Sequence, residues 1–307
     1  MLCPALFPSQ VRFEWIDDPY ELPDAIIPYR DSLIKHHRSQ SRVFDSETLR
    51  VNKWTGTDNE LVLHLSPTTY FDTLITNRSL EIEVSPGKTV RDLLAPKGDL
   101  SPLNNTLLSN HLGTTVFVKV ENSIVFTQRN GAVSVGKNAL GSSVTGAVKG
   151  EYALESGYLK PNGVRDAVEA EVLDETGYKA SLESNWVKAI FFDPREGYKP
   201  NLFSEIVFPG SQEEFRSVFQ NNPAPNTDGE EVLFIETEDL VLSEVREGVL
   251  YTSPRQRFTL SSTTAEAVGV WQLLNSPILA NRDRQRGWLT TLEESEDTSS
   301  KKCGSMF

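Results

Sequence analysis

The chain has 307 residues, of which 38% are hydrophobic and 24% are charged, and its net charge is −13 at pH 7. This length suffices for one large domain or two ordinary ones, and the composition is typical of a globular protein with a buried core. A surface with this much negative charge repels a phosphate backbone, so we expect no nucleic-acid partner.

The sequence shows no signal for export or membrane insertion. No stretch approaches the ~20 consecutive apolar residues that cross a bilayer. The first residues, MLCPALFPSQ, lack the positive and apolar regions of a secretory signal. Cys3 and Cys303 lie near opposite ends of the chain and form no disulfide framework. We therefore expect a cytoplasmic protein in a reducing environment, without a membrane partner.

The first third of the chain shows weak signals of regular structure. Residues 1–30 are rich in Pro and aromatic residues and predict an irregular lead-in. Three segments favour regular elements, namely a helix over 28–38 and strands over 60–66 and 80–84. The turn-rich residues 95–107 predict a boundary. Residues 1–112 are thus predicted to be an N-terminal α+β region that sets substrate choice or provides a homodimer interface, and they indicate no family.

The signals are stronger after this boundary. Strands are predicted over 114–121, 123–130, 132–136, 142–150, 185–193, 201–209 and 230–237, and helices over 164–177, 211–220 and 263–275. Gly177 is expected to end the first of these helices, and Ser211 to cap the second. Many short strands around few helices predict an α/β sandwich with a mixed sheet. We assign residues 113–280 to this domain and residues 281–307 to a polar, disordered tail.

The helix predicted over 164–177 carries three acids on one face. Glu171, Asp174 and Glu175 have i, i+3 and i+4 spacing, so their carboxylates lie together. Ala167, Val168 and Val172, with Leu173 as a further candidate, form an apolar stripe that would pack on the sheet. Charge pattern alone favours a solvated acidic face. The alternative is a hard cation with oxygen ligands, which would offset the mutual repulsion of the acids.

The segment from Ala170 to Tyr178 resembles the second half of the Nudix box, whose consensus is G-x5-E-x7-R-E-U-x-E-E-x-G-U, with U an apolar residue. Ala170 stands where the family has Arg, and Asp174 where it has Glu. Upstream, Thr145 to Glu151 resembles the Gly-x-x-x-x-Gly-Glu loop of this family with one residue deleted. Residues 152–162 would then be an insertion before the helix.

This resemblance implies a Nudix-type α/β/α sandwich with a mixed sheet. It also implies a Mg²⁺- or Mn²⁺-dependent hydrolase of an X-linked diphosphate, where X is a nucleoside, a sugar or a prenyl group. By resemblance, Glu171, Asp174 and Glu175 are metal ligands, with Gly146 and Glu151 of the loop in the same metal site. Glu171 and Glu175 would be the catalytic residues.

Further candidates come from neighbouring segments. Arg129 ends the predicted hairpin, and its guanidinium suits contact with a substrate phosphate. Glu205 lies on the strand after the helix and points into the cleft as a substrate-binding residue or base, unless its strand turns it outward. Ala170 cannot brace a metal-binding glutamate, so Arg165 or Lys160 is a candidate substitute.

Two other classes of function remain open at this point. A Nudix-like module would bind a nucleotide or phosphorylated metabolite without hydrolysing it, which the missing Arg favours. A protein-interaction scaffold would bind no small molecule, which the concentrated acids disfavour. The histidines His36, His37, His64 and His111 show no ligand spacing, and we expect structural roles for them.

Overall fold

The computed structural model describes residues 5–56, 60–95, 106–129, 138–223, 229–252 and 256–275. The helices are α1 Arg30–Gln40, α2 Tyr70–Ile75, α3 Val90–Leu94, α4 Gly150–Ala153, α5 Gly163–Thr176, α6 Gln212–Gln220, α7 Thr237–Leu242 and α8 Ser262–Asn275. The strands before α4 are β1 Ala5–Leu6, β2 Gln10–Trp15, β3 Glu47–Gly56, β4 Glu60–Thr69, β5 Glu83–Ser85, β6 Lys88–Thr89, β7 Gly113–Val120, β8 Ser123–Arg129, β9 Leu140–Ser142 and β10 Val144–Ala147. The strands after α4 are β11 Leu154–Glu155, β12 Tyr158–Leu159, β13 Val187–Asp193, β14 Lys199–Phe208, β15 Gly229–Glu236, β16 Glu244–Arg246, β17 Val249–Thr252 and β18 Gln256–Thr259.

Within the described residues, the largest sheet has eight strands and is mixed. Its main path runs β1-β13-β14-β7-β8-β15, while β10 pairs with β7 and β9 with β8. The pair β14–β7 is parallel, and the other pairs in this sheet are antiparallel. The chain is therefore a mixed α/β protein, as its strand and helix pattern predicted.

The two faces of this sheet carry different helices. Val168 and Val172 of α5 share a hydrophobic cluster with Ile206 of β14. Trp271 of α8 lies in a second cluster with Phe203, which points to the opposite side of β14. The sheet is thus packed between α5 on one face and α8 on the other, because successive side chains of a strand point to opposite faces.

Helix α5 begins and ends close to the predicted limits. Its C-cap, Gly177, has φ of 73°, a left-handed conformation that glycine adopts without steric cost, and its N–H donates to the carbonyl of Leu173 at 2.8 Å. Ala167 and Val168 are buried as the apolar stripe predicted. Leu173 was wrongly included as a candidate, since it is 42% exposed.

The N-terminal residues pack against the rest of the chain. Strand β1 pairs with β13 at the edge of the large sheet. Leu49 of β3 and Leu63 of β4 belong to the same hydrophobic cluster as α5. The predicted boundary near residue 112 is therefore crossed by a shared core, while the division into domains stays a prediction.

Several sequence-based expectations need correction. The lead-in over residues 1–30 contains β2, which pairs in parallel with β4, so it is not irregular throughout. The strands β16 to β18 form a small sheet that the pattern did not predict. The strand expected over 132–136 and the tail 281–307 lie outside the described residues. Across the described segments, every helix falls short of the length and apolarity that crossing a membrane requires.

Candidate functional site

The three acids of α5 differ in their exposure. Glu171 is buried, with 5% of its surface exposed, whereas Asp174 and Glu175 in the next turn are half-buried. Glu171 faces the sheet, since it lies one turn from the buried residues Ala167 and Val168. A buried carboxylate requires a charged or hydrogen-bonding partner. Glu171 therefore needs such a partner among the groups that contact its carboxylate.

Gly146 lies directly under the Glu171 carboxylate. A Cβ at position 146 would stand 1.9 Å from Oε1 and 2.5 Å from Cδ of Glu171, which is far inside van der Waals contact. Strand β10, which carries Gly146, pairs with β7 so that Gly146 is opposite Thr114. Because glycine has no Cβ, the side chain of Glu171 has room to lie against β10. Gly146, predicted to belong to the metal site, is thus in contact with one of the predicted ligands.

A lysine from the loop after β10 enters the acidic cluster. Nζ of Lys149 lies 2.8 Å from Oε2 of Glu171 and 3.7 Å from Oδ2 of Asp174. One ammonium therefore bridges two of the three acids that the resemblance assigned to a metal. Burial lowers the pKa of Lys149, but attraction to Glu171 and then Asp174 outweighs burial and raises this pKa above its usual value. The lysine is a cation at any physiological pH.

The backbone at Lys149 is fixed from both sides. The N–H of Val148 donates to the carbonyl of Leu112 at 2.9 Å, and the carbonyl of Val148 accepts from the N–H of Leu49 at 3.1 Å. On the other side, Lys149 is the N-cap of α4, and its carbonyl accepts from the N–H of Ala153 at 3.1 Å. Leu49 belongs to β3, so the N-terminal residues help to hold the loop that presents the ammonium.

Tyr152 also contacts the cluster. Its hydroxyl donates to Oδ2 of Asp174 at 3.4 Å, and its ring centroid is 5.9 Å from Nζ of Lys149. Burial, followed by the negative charge of Asp174, raises the pKa of Tyr152, so the phenol stays protonated and keeps donating. The sequence did not reveal that Lys149 and Tyr152 contact the acids, although both lie in or beside the segment that resembles the Gly-Glu loop.

Glu171 and Asp174 are the carboxylates that a divalent cation would bind at this site. Glu171 and Asp174 both lie within ion-pair distance of one positive charge, the ammonium of Lys149. Mg²⁺ often uses only one or two carboxylates when waters and substrate phosphates supply its other ligands. Among the side chains of the described segments, no three or more His, Cys, Asp or Glu residues are grouped in a way that could hold a metal. A divalent cation held by Glu171 and Asp174 would therefore need further ligands from water or from a phosphorylated ligand.

The other predicted site residues lie in different surroundings. Glu151 is exposed in the first turn of α4, next to the loop of Lys149. Arg129 is buried at the end of β8, where its side chain lies against Gly141 of β9. Oε2 of Glu205 accepts a hydrogen bond from Nε1 of Trp271 at 2.6 Å. Because Trp271 lies on the α8 face, Glu205 is on the opposite side of the sheet from Glu171, and its role in substrate binding stays a prediction.

The cation beside Glu171 is not one of the two residues, Arg165 and Lys160, that were expected to replace the consensus arginine. Lys160 pairs with Asp166 at 3.2 Å, in the first turn of α5. The cation on Glu171 is Lys149. This difference has a physical reason: the loop runs over the face of α5 that Glu171 occupies, which helical spacing does not reveal.

The histidines have structural surroundings. His111 is buried, with 1% of its surface exposed, and its ring stacks on Tyr70 with centroids 6.0 Å apart. His37 contacts the hydroxyl of Ser79 at 2.9 Å, and His64 contacts that of Thr55 at 3.0 Å. These contacts are consistent with the expected structural roles.

Comparison with known proteins gives weak similarity only. No protein-family model matches the sequence, and no curated protein matches it. A solved structure of DR0079 from Deinococcus radiodurans aligns with a TM-score of 0.28 and 15% identity, over 43% of this chain and 70% of that one. A bifunctional NMN adenylyltransferase/ADP ribose pyrophosphatase from Francisella tularensis, complexed with AMP and a Mn ion, aligns with a TM-score of 0.26 and 19% identity. That alignment spans 42% of this chain and 34% of the enzyme. Similarity at this level assigns neither a family nor an activity.

Proposed function

We propose that this protein is a divalent-metal-dependent hydrolase that cleaves the diphosphate of a small molecule, with its site at the acidic face of α5. The observation that carries the proposal is the convergence of Glu171 and Asp174 on one cationic position, 2.8 and 3.7 Å from Nζ of Lys149. The resemblance of residues 170–178 to the Nudix box supports the same site. The bound substrate is a nucleoside, sugar or prenyl diphosphate.

Each acidic residue has a proposed part in this reaction. Glu171 and Asp174 would bind Mg²⁺ or Mn²⁺, which neutralises phosphate charge and lowers the pKa of an attacking water. Gly146 leaves room for the Glu171 carboxylate against β10. Glu175, half-buried one residue further along α5, would accept the proton of the attacking water. Tyr152 would hold Asp174 in position through its hydroxyl.

The test is metal-dependent turnover on a panel of nucleoside, sugar and prenyl diphosphates. Wild type, Glu175→Gln and the control Glu213→Gln are compared with Mg²⁺, with Mn²⁺ and with chelator. Glu213 is an exposed acid in the first turn of α6, so its substitution removes one negative charge from a different helix. We expect metal-dependent hydrolysis of one substrate class, reduced by about 10²-fold or more in Glu175→Gln and unchanged in the control. Full turnover in Glu175→Gln would refute the assigned site.

A second candidate function is binding of a phosphorylated metabolite without hydrolysis. It is favoured by Lys149, which already neutralises part of the acidic cluster, and by Ala170, which cannot give the charged hydrogen bond of the family's arginine. This alternative predicts that a diphosphate raises the thermal unfolding temperature while no member of the panel is hydrolysed. Metal-dependent turnover would exclude it.

A further inference from the structure

Lys149 and a divalent cation require the same carboxylates. The ammonium is 2.8 Å from Oε2 of Glu171 and 3.7 Å from Oδ2 of Asp174, the distances of direct ion pairs. A metal ion bound by both acids would occupy the space around this ammonium. Two positive charges cannot share that space without strong repulsion, because Coulomb energy rises as their separation falls.

We propose that Lys149 is a tethered competitor of the metal, which occupies the acidic site until a phosphorylated substrate draws its ammonium away. The inference rests on the proposed function, since it concerns the same carboxylates. In the free protein, a divalent cation must displace an attached positive charge and therefore binds weakly. With substrate present, the phosphate oxygens offer the ammonium another anionic partner, and Glu171 and Asp174 become available.

The loop geometry favours this competition. Hydrogen bonds of Val148 and of the first turn of α4 hold the Lys149 backbone on both sides, beside the acids of α5. The side chain itself is long and about 29% exposed, so its ammonium can reach a phosphate that approaches from solvent. A fixed backbone with a flexible stem is the arrangement that a displaceable cation needs.

The buried charge of Glu171 also supports a role for Lys149 as a displaceable cation. Glu171 is buried, and a buried carboxylate without a cation is costly. Lys149 supplies that cation in the absence of metal, so α5 stays packed on β10 in both states. The lysine thereby does two things: it keeps the site folded, and it couples metal binding to the arrival of substrate.

The experiment measures binding of Mn²⁺ alone, without substrate, from the electron paramagnetic resonance signal of the free ion. Wild type is compared with Lys149→Met, which keeps the length of the stem and removes the charge. The matched control is Lys160→Met. Lys160 pairs with Asp166 on the same helix at 3.2 Å, and the exposed fractions of its pair, 29% and 42%, equal those of Lys149 and Asp174.

We expect Lys149→Met to bind Mn²⁺ at least about 10-fold more tightly than wild type, and Lys160→Met to bind it as wild type does. Mn²⁺ should also raise the unfolding temperature of Lys149→Met more than that of wild type, since a ligand stabilises the folded state that binds it. If Lys149→Met folds only with Mn²⁺, the proposal is supported. If it does not fold in either condition, Lys149→Gln replaces it in the same measurement.

Equal Mn²⁺ affinity in wild type and Lys149→Met, or no binding by either, would overturn the proposed competition. That result leaves the proposed function to be judged by turnover on the diphosphate panel. Conversely, tighter Mn²⁺ binding by Lys149→Met without turnover in any protein would uphold the competition and reject the hydrolase.

Discussion

Replacing Gly146 with alanine tests whether the position of Glu171 matters. The new Cβ would stand 1.9 Å from Oε1 of Glu171, whereas an ordinary contact begins at 3.4 Å, so the carboxylate must move by roughly 1.5 Å (3.4 − 1.9). Gly146 does not have a left-handed φ, so alanine fits the backbone and the perturbation acts on the glutamate. The neighbour that must yield is the end of a flexible side chain rather than the backbone of the sheet.

The substitution should therefore have a small effect on stability and a large effect on activity. Alanine lowers the entropy of the unfolded chain, which stabilises the folded state by about 0.4–1 kcal/mol. This gain offsets part of the cost of moving a buried carboxylate. We expect the free energy of unfolding to fall by no more than ~2 kcal/mol. Displacement of a metal-binding or catalytic group by more than 1 Å costs about 10²-fold in rate. Turnover on the diphosphate that wild type hydrolyses should fall by that factor.

Urea unfolding and turnover are measured on Gly146→Ala and on the control Gly87→Ala. Gly87 has φ of 73° and open space around its missing Cβ, so alanine there costs about 1–2 kcal/mol in backbone strain without touching the acidic site. The control should lose stability and keep its activity. Undiminished turnover in Gly146→Ala would refute the reasoning, because the predicted shift of Glu171 would then have no functional consequence.

Two further predictions concern the stability of the fold. Arg78 forms a largely buried ion pair with Glu196 at 3.0 Å, so Arg78→Met should lower the free energy of unfolding by about 3–5 kcal/mol in urea titrations. Glu196 also pairs with the buried Lys199 at 3.3 Å, so adding Glu196→Gln should not restore the loss, and a loss under about 1 kcal/mol in Arg78→Met would show that its pair is unimportant. Burial lowers the pKa of His37 to about 4, against about 6.5 in an unfolded chain. As the pH falls through this window the unfolded state gains a proton first, so stability present above pH 6.5 is lost toward pH 4. His37→Gln should reduce the drop in unfolding temperature between neutral and acidic pH, and an unchanged drop would assign it to other groups.

The elements that sequence predicted best are those specified by local patterns. The limits of α5 follow from its apolar stripe and from Gly177, which ends the helix in a left-handed conformation. Ser211 begins α6 with a capping box, in which its hydroxyl accepts from the N–H of Glu214, whose carboxylate accepts from the N–H of Ser211. Both features depend on residues within one or two helical turns. The hairpin of β7 and β8 was also predicted, because its strands are adjacent in the chain.

Elements that depend on distant partners were not predicted. Strand β2 shows only alternating exposed and half-buried residues, and it is held in place by parallel pairing with β4. No local pattern reveals that partner. The contribution of β1 to the large sheet was missed for the same reason, since Ala5 and Leu6 pair with Ile190 and Phe191 far along the chain.

In the candidate site, too, some features follow from the local sequence and others depend on distant partners. The spacing of Glu171, Asp174 and Glu175 by itself determined that three acids share one side of a helix, because helical geometry is fixed by the backbone. Only the tertiary structure decided what faces them. It brings Gly146 under Glu171 through the pairing of β10 with β7, and it places Lys149 between Glu171 and Asp174 through a loop held by β3. These contacts join residues that are distant in the chain, and their distances follow from packing rather than from any local pattern.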